Sequence, residues 1–198
     1  ETEEEDREER MIRERKNMRH IMKLINDFDG EHLCDNVIRG VEYLCAISKL
    51  SDQNYKSLMA KNQIFEKLFR IFEISSDNEE IAFTILNCIA VLTSKDYQDN
   101  EYFTLRIDII PDLIALLFIP SFLELALYIL VNITNDQLTC RDVFISNFTP
   151  ADIANLIEQN KENLDIAYLL SKLIAACNKK TYADDETAKG MMNNSKLL

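Results

Sequence analysis

The chain has 198 residues, of which 47% are hydrophobic, and it contains only 3 Gly and 3 Pro. This is enough apolar sequence to bury a core but too few turn residues for a β-sandwich or barrel, so we expect an all-α fold. The formal net charge of −12 would repel phosphate backbones, which argues against nucleic acid as a partner. It favours a basic protein or peptide, although acidity also serves solubility alone.

The cysteines bear on the cellular compartment. They form no CxxC pair, and most lie among apolar residues at helical spacing, so we interpret them as buried free thiols. They are Cys34, Cys45, Cys88, Cys140 and Cys177. Their odd number and unpaired pattern suggest a reducing compartment, either cytoplasm or nucleus or both. No stretch is apolar enough to span a membrane and no signal peptide is visible, so we expect no membrane partner.

The first segment is rich in charge. Residues 1–9 are almost all charged and mostly acidic, and the charged residues of 11–24 are mostly basic. Apolar residues recur at helical spacing from Met18 to Ile25, which predicts a helix that begins near residues 8–12 and ends at about Asp27. We interpret residues 1–29 as an N-terminal capping helix.

Four later segments share one apolar frame and predict the long helices of a repeat. Their anchoring leucines are Leu44, Leu86, Leu130 and Leu170. These leucines are 42, 44 and 40 residues apart, which is the period of armadillo and HEAT repeats.

Two further series occur between the long helices. One series predicts a middle helix in each repeat, near residues 64–71, 110–117 and 150–156, with Pro111 and Pro150 in first turns and Thr149 as a cap. The other predicts a short helix, near residues 55–61, 102–107 and 141–146. Three helices per repeat favour the armadillo form. We therefore expect an all-α, right-handed armadillo-type superhelical solenoid of about four three-helix repeats. It would form a single domain over residues 1–178, with its repeats at 30–178 and a polar tail at 179–198.

The third repeat contains the candidate site. Ala126, Ile129, Leu130 and Ile133 form the stripe that we expect to be buried, whereas Tyr128 and Asn132 point away from it. Asp136 follows one turn later. An aromatic ring, an amide and a carboxylate in a row suit an extended peptide, because they can hold a lysine stem, the peptide backbone and the lysine charge. The alternative is that these side chains only face water.

This region resembles the third armadillo repeat of importin alpha. The resemblance lies in residues 127–136 and in Cys140-Arg141-Asp142. In this repeat the family has a Trp, an Asn four residues after it and an Asp four residues after the Asn. An Arg-Asp pair follows in the next helix. Asn132, Asp136 and Arg141-Asp142 match, and Tyr128 replaces the tryptophan. Weaker similarity extends over about residues 20–178. The resemblance implies a protein-transport adaptor that binds a basic, nuclear-localisation-type segment in an acidic groove.

The other repeats depart from the family pattern. Thr84 and Cys88 occupy the Trp and Asn positions of the second repeat, and Glu42 and Ala46 occupy those of the first. Tyr168 keeps an aromatic residue in the fourth repeat and is a further candidate for peptide binding. Its partner is Lys172 instead of asparagine, and this cation would repel a basic peptide.

The basic run from Arg13 to Lys23 is similar to the family's importin-beta-binding segment. It would imply an importin-beta-like carrier as a partner. The run joins the first repeat without a linker, however, which favours the capping helix.

Catalytic and cofactor chemistry lack a sequence signal. The chain has 2 histidines, His20 and His32, and neither a phosphate-binding loop nor a nucleophile motif. A metal pair of His32 and Cys34 has no further ligands near it. We therefore expect that the protein is not an enzyme and that it binds neither a metal ion nor a cofactor. Three hypotheses remain: an importin-alpha-like adaptor, a divergent armadillo scaffold without a transport role, and an enzyme with an unrecognised site.

Overall fold

The computed structural model describes residues 2–48, 64–75, 78–94, 109–136 and 138–178, except for the side chains of residues 2–5, 48, 136 and 138. In these ranges all regular structure is helical, which confirms the all-α prediction for the described part of the chain. The helices are α1 (Thr2–Asn26), α2 (Asp35–Ser48), α3 (Ile64–Ser75), α4 (Glu79–Leu92), α5 (Ile110–Leu116), α6 (Leu123–Asp136), α7 (Leu138–Asn147), α8 (Pro150–Gln159) and α9 (Leu164–Cys177).

The predicted long helices are confirmed as α2, α4, α6 and α9, and the predicted middle helices as α3, α5 and α8. The short helix expected near residues 141–146 is confirmed as α7. The short helices expected near 55–61 and 102–107, and the tail at 179–198, lie outside the described residues.

Helix α1 corrects one predicted boundary. It begins at Thr2 and not near residues 8–12. The acidic sequence of residues 3–6 explains the longer helix, since carboxylates in a first turn are favoured by the positive end of the helix dipole. A partly buried ion pair between Arg10 Nε and Glu14 Oε1, at 3.0 Å, adds support along the helix.

A glycine sets the close approach of α1 and α2. Gly40 is buried in α2, and a Cβ atom there would lie 2.9 Å from Ile25 Cγ1 and 3.1 Å from the Ile25 backbone nitrogen. Met18, Ile21 and Met22 extend the same buried side of α1. The apolar stripe predicted for this helix is therefore confirmed as its packing surface.

The long helices pack on one another in chain order. Helix α2 packs on α4, α4 on α6, and α6 on α9. The shorter helices pack beside them, with α3 on α4, α5 and α7 on α6 and on each other, and α8 on α9. The core is thus a continuous row of helix-to-helix contacts in which α6 occupies a central position.

Capping residues define where several helices begin. The Asn78 side chain accepts a hydrogen bond from the Ile81 N–H, and Asn163 accepts from Asp165 and Ile166. Thr149 and Asp152 form a reciprocal capping box at α8, which confirms the predicted cap. Pro111 lies in the first turn of α5 and Pro150 in that of α8, as predicted.

The cysteine prediction holds only in part. Cys45, Cys88 and Cys140 are buried free thiols, and Cys177 is half-buried. Burial raises the pKa values of Cys140 and Cys177. Cys34 is exposed, contrary to expectation, because it lies in the turn before α2, where apolar neighbours in sequence do not produce burial.

Candidate functional site

The candidate site lies on the partly exposed side of the long helices. In α6 the stripe of Ala126, Ile129, Leu130 and Ile133 is buried, as predicted. In α4 the residues 44 positions earlier, Ala82, Ile85, Leu86 and Ile89, are buried too. The two helices therefore present the same stripe of the repeat frame to the core.

Tyr128 and Asn132 lie on the outward side of α6. Tyr128 is 41% exposed, and Asn132 is half-buried one turn later. Asn132 Nδ2 donates to Thr93 Oγ1 at 3.4 Å, which connects α6 to the end of α4. The structure thus leaves the tyrosine ring accessible and orients the amide through a neighbouring helix. Peptide binding by these two residues stays a prediction.

Asp136 is the last residue of α6, and its side chain lies outside the described residues. Its role as the carboxylate partner of a lysine therefore stays a prediction. Asn135, the residue before it, is half-buried on the outward side of the helix.

Arg141, one member of the Arg-Asp pair, is largely buried. Its Nε and Nη2 atoms each donate to the Thr134 carbonyl oxygen at 3.4 Å. Thr134 is also buried, and its hydroxyl donates to the Leu130 carbonyl at 2.7 Å. The guanidinium therefore satisfies a carbonyl in the last turn of α6 and stabilises the helix that bears Tyr128 and Asn132. Asp142, the other member of the pair, is exposed.

Tyr168 is 58% exposed on α9, and its ring already contacts a cation. Lys172 Nζ lies 4.6 Å from the ring centroid, within the range of a cation–π interaction. A lysine from a partner would therefore have to displace Lys172 to stack on the same face of this ring. The repulsion of a basic peptide by Lys172 and the contact of Tyr168 with a peptide both stay predictions.

The exposed side of α4 differs from that of α6. Cys88, at the position that matches Asn132, is fully buried, whereas Thr84, at the position that matches Tyr128, is half-buried. Phe83 is 46% exposed, although it occupies the frame position of the fully buried Leu127. Apolar periodicity gave no signal for this exposed ring, because a phenylalanine in an apolar frame is expected to be buried.

The exposed part of α4 begins with a carboxylate, Glu80, and α6 begins with Glu124 at the matching position 44 residues later. Glu42, on α2, is exposed as well. These carboxylates place negative charge on α2, on α4 and at the start of α6, the helix that carries Tyr128 and Asn132.

Within the described ranges no group of three or more His, Cys, Asp or Glu side chains is close enough to hold a metal ion. His32 Nδ1 lies 3.2 Å from Asp29 Oδ2. The backbone N–H of Glu31, and then that of His32, hold the pKa of Asp29 at about 2. These contacts of Asp29 therefore stabilise the turn between α1 and α2.

The described helices include none that is long and apolar enough to cross a membrane. No protein-family model, curated protein or solved structure matches the chain.

Proposed function

We propose that the chain is an importin-alpha-like, protein-binding adaptor built as a right-handed armadillo-type solenoid. It would hold a basic, extended segment of another protein across the outward faces of α4, α6 and α9, in the cytoplasm, the nucleus or both. The observation that carries the proposal is Tyr128, an accessible ring one turn from Asn132 on a helix whose opposite face is fully buried.

The stacking of the long helices supports an extended ligand. Tyr128 and Tyr168 are 40 residues apart and occupy matching positions on α6 and α9, which pack directly on each other. Packed helices lie roughly 8–10 Å apart, and an extended chain rises roughly 3.3 Å per residue. An extended peptide that crosses these helices would therefore advance by about three residues between one helix and the next.

Charge supports a basic ligand. The net charge is −12, and Glu80 and Glu124 are both exposed at the starts of α4 and α6. Complementary charge speeds association and selects partners, and it acts most strongly at low ionic strength. In this arrangement the tyrosine packs on the aliphatic stem of a lysine while the carboxylates attract its charge.

Calorimetric titration with a lysine-rich peptide tests the proposal. The matched control peptide has serine in place of each lysine. Tyr128→Ala is expected to weaken the lysine-rich peptide by roughly five- to thirtyfold, the range of an aromatic anchor. Ile157→Ala, which removes an exposed apolar side chain from α8, is the control and should leave the affinity unchanged. Equal affinity for both peptides, or no binding of either, would contradict the proposal.

A second candidate is a divergent armadillo scaffold that binds another kind of protein and has no transport role. The contact of Lys172 with Tyr168 favours it, because that contact places a positive charge where the adaptor would receive a basic peptide. Lys172→Asn separates the two candidates. The adaptor should bind the lysine-rich peptide more tightly after this change, since a repelling charge is lost and the ring is uncovered. A scaffold for a different partner should show no gain.

A further inference from the structure

A cleft lies between α2 and α4, two of the long helices that pack on one another in chain order. Its volume is about 250 Å³. The apolar part of its lining comes from Ile38, Val41 and Ile81, and the polar part includes Glu42, Glu80 and Thr84. Both helices thus contribute an apolar wall and one carboxylate.

The carboxylates at this cleft are available to a ligand. Glu42 and Glu80 are exposed, and neither side chain has a hydrogen bond or an ion pair with any other described residue. The Thr84 hydroxyl donates to the Glu80 carbonyl oxygen at 3.0 Å, so its oxygen can still accept a hydrogen bond. The polar side of the cleft therefore offers carboxylate and hydroxyl acceptors, together with the Asn78 amide, whose oxygen accepts the Ile81 N–H.

The sequence positions connect this cleft with the candidate site. Glu42 on α2 and Thr84 on α4 are the residues that match Tyr128 on α6 and Tyr168 on α9 in the repeat frame. A peptide that crosses the tyrosines and continues toward α2 would reach the cleft next. There, carboxylates from two helices replace the aromatic rings.

We propose that this cleft binds one lysine or arginine side chain of the same extended segment. The inference rests on the proposed function and adds a second, chemically different position to it. The aliphatic stem would pack on Ile38, Val41 and Ile81 while the cationic end lies between Glu42 and Glu80. A metal ion fits less well, because no group of three or more metal-ligating side chains occurs in the described ranges.

The test uses the full chain and the same lysine-rich peptide. Glu42→Gln and Glu80→Gln each preserve side-chain size and remove one charge. Each is expected to weaken binding about two- to fivefold, as for an exposed ion pair, and the double variant about tenfold. Glu162→Gln makes the same change in net charge on the exposed turn before α9 and should have no effect beyond about 1.5-fold at moderate salt.

Single lysines of the peptide are then replaced by norleucine, which keeps the aliphatic stem and removes the charge. At one peptide position this replacement should abolish the effect of Glu42→Gln, and that position identifies the bound side chain. Methyl NMR signals of Ile38 and Ile81 should shift on addition of the unmodified peptide.

The outcomes distinguish the two proposals. If Tyr128→Ala weakens binding but the glutamine variants match Glu162→Gln, the cleft inference is wrong and the adaptor proposal stands. If the wild-type chain binds no lysine-rich peptide, both are wrong. If every peptide lysine depends equally on Glu42, the carboxylates act as a diffuse field and the cleft does not hold one side chain.

Discussion

Replacing Leu130 with alanine should destabilise the fold by about 2–5 kcal/mol. Leu130 is fully buried in α6, which packs on α4, α5, α7 and α9. The change removes three carbon groups at about 0.8 kcal/mol each, and the cavity that remains adds to this loss because a helix packed on several neighbours cannot collapse into it. Tyr128→Ala, on the outward side of the same helix, should cost about 1 kcal/mol or less.

Urea denaturation followed by circular dichroism measures both changes, with equal m-values as the check that the transitions are comparable. Ile129→Val is a milder core variant, expected to cost about 0.5–1.5 kcal/mol, and it keeps the test valid if Leu130→Ala does not fold. A larger loss for Tyr128→Ala than for the core variants would refute the assignment of inward and outward faces to α6.

Three further changes test local features. Gly40→Val should cost about 1–3 kcal/mol in urea denaturation, since even a Cβ would come within 2.9 Å of α1, and an unchanged midpoint would exclude that close approach. Thr149→Ala should cost about 1 kcal/mol and raise the pKa of Asp152, which hydrogen bonds from Thr149 now hold low; an NMR titration showing no rise would contradict the capping box. Asp29 has a pKa of about 2, held down first by the Glu31 N–H, against 3.8 when unperturbed. Its stabilising contribution should be complete above about pH 4 and lost as pH falls toward 2, and the stability of Asp29→Asn should vary less across that window.

The positions of most helices could be predicted from sequence because burial selects an apolar stripe at the helical period. Leu86, Leu130 and Leu170 mark α4, α6 and α9 for this reason, and all three are buried. The start of α1 could not be predicted in the same way. Its first turns have no apolar stripe, and the charged residues there favour a helix through its dipole instead.

The chemistry of the site was harder to predict, because it depends on contacts between helices. Periodicity placed Asn132 and Tyr128 on one face of α6, but the hydrogen bond from Asn132 to Thr93 depends on how α6 meets the end of α4. The burial of Arg141 against the Thr134 carbonyl likewise depends on the angle between α6 and α7. A motif match identifies residue types, and only the packing decides which of them remain accessible.

Charge changes along the outward surface in a way that gives it a direction. Glu42 and Glu80 place carboxylates on α2 and α4, Glu124 places one at the start of α6 beside the neutral Tyr128 and Asn132, and Lys172 places a cation on α9. A uniformly basic segment would be attracted at one end and repelled at the other, so the surface best fits a segment whose positive charges cluster toward α2 and α4. Such a gradient sets the register of a partner through repulsion as well as attraction. It also requires that Glu42→Gln and Lys172→Asn change the affinity for one lysine-rich peptide in opposite directions. Changes in the same direction would mean that the two ends do not act on a single bound segment.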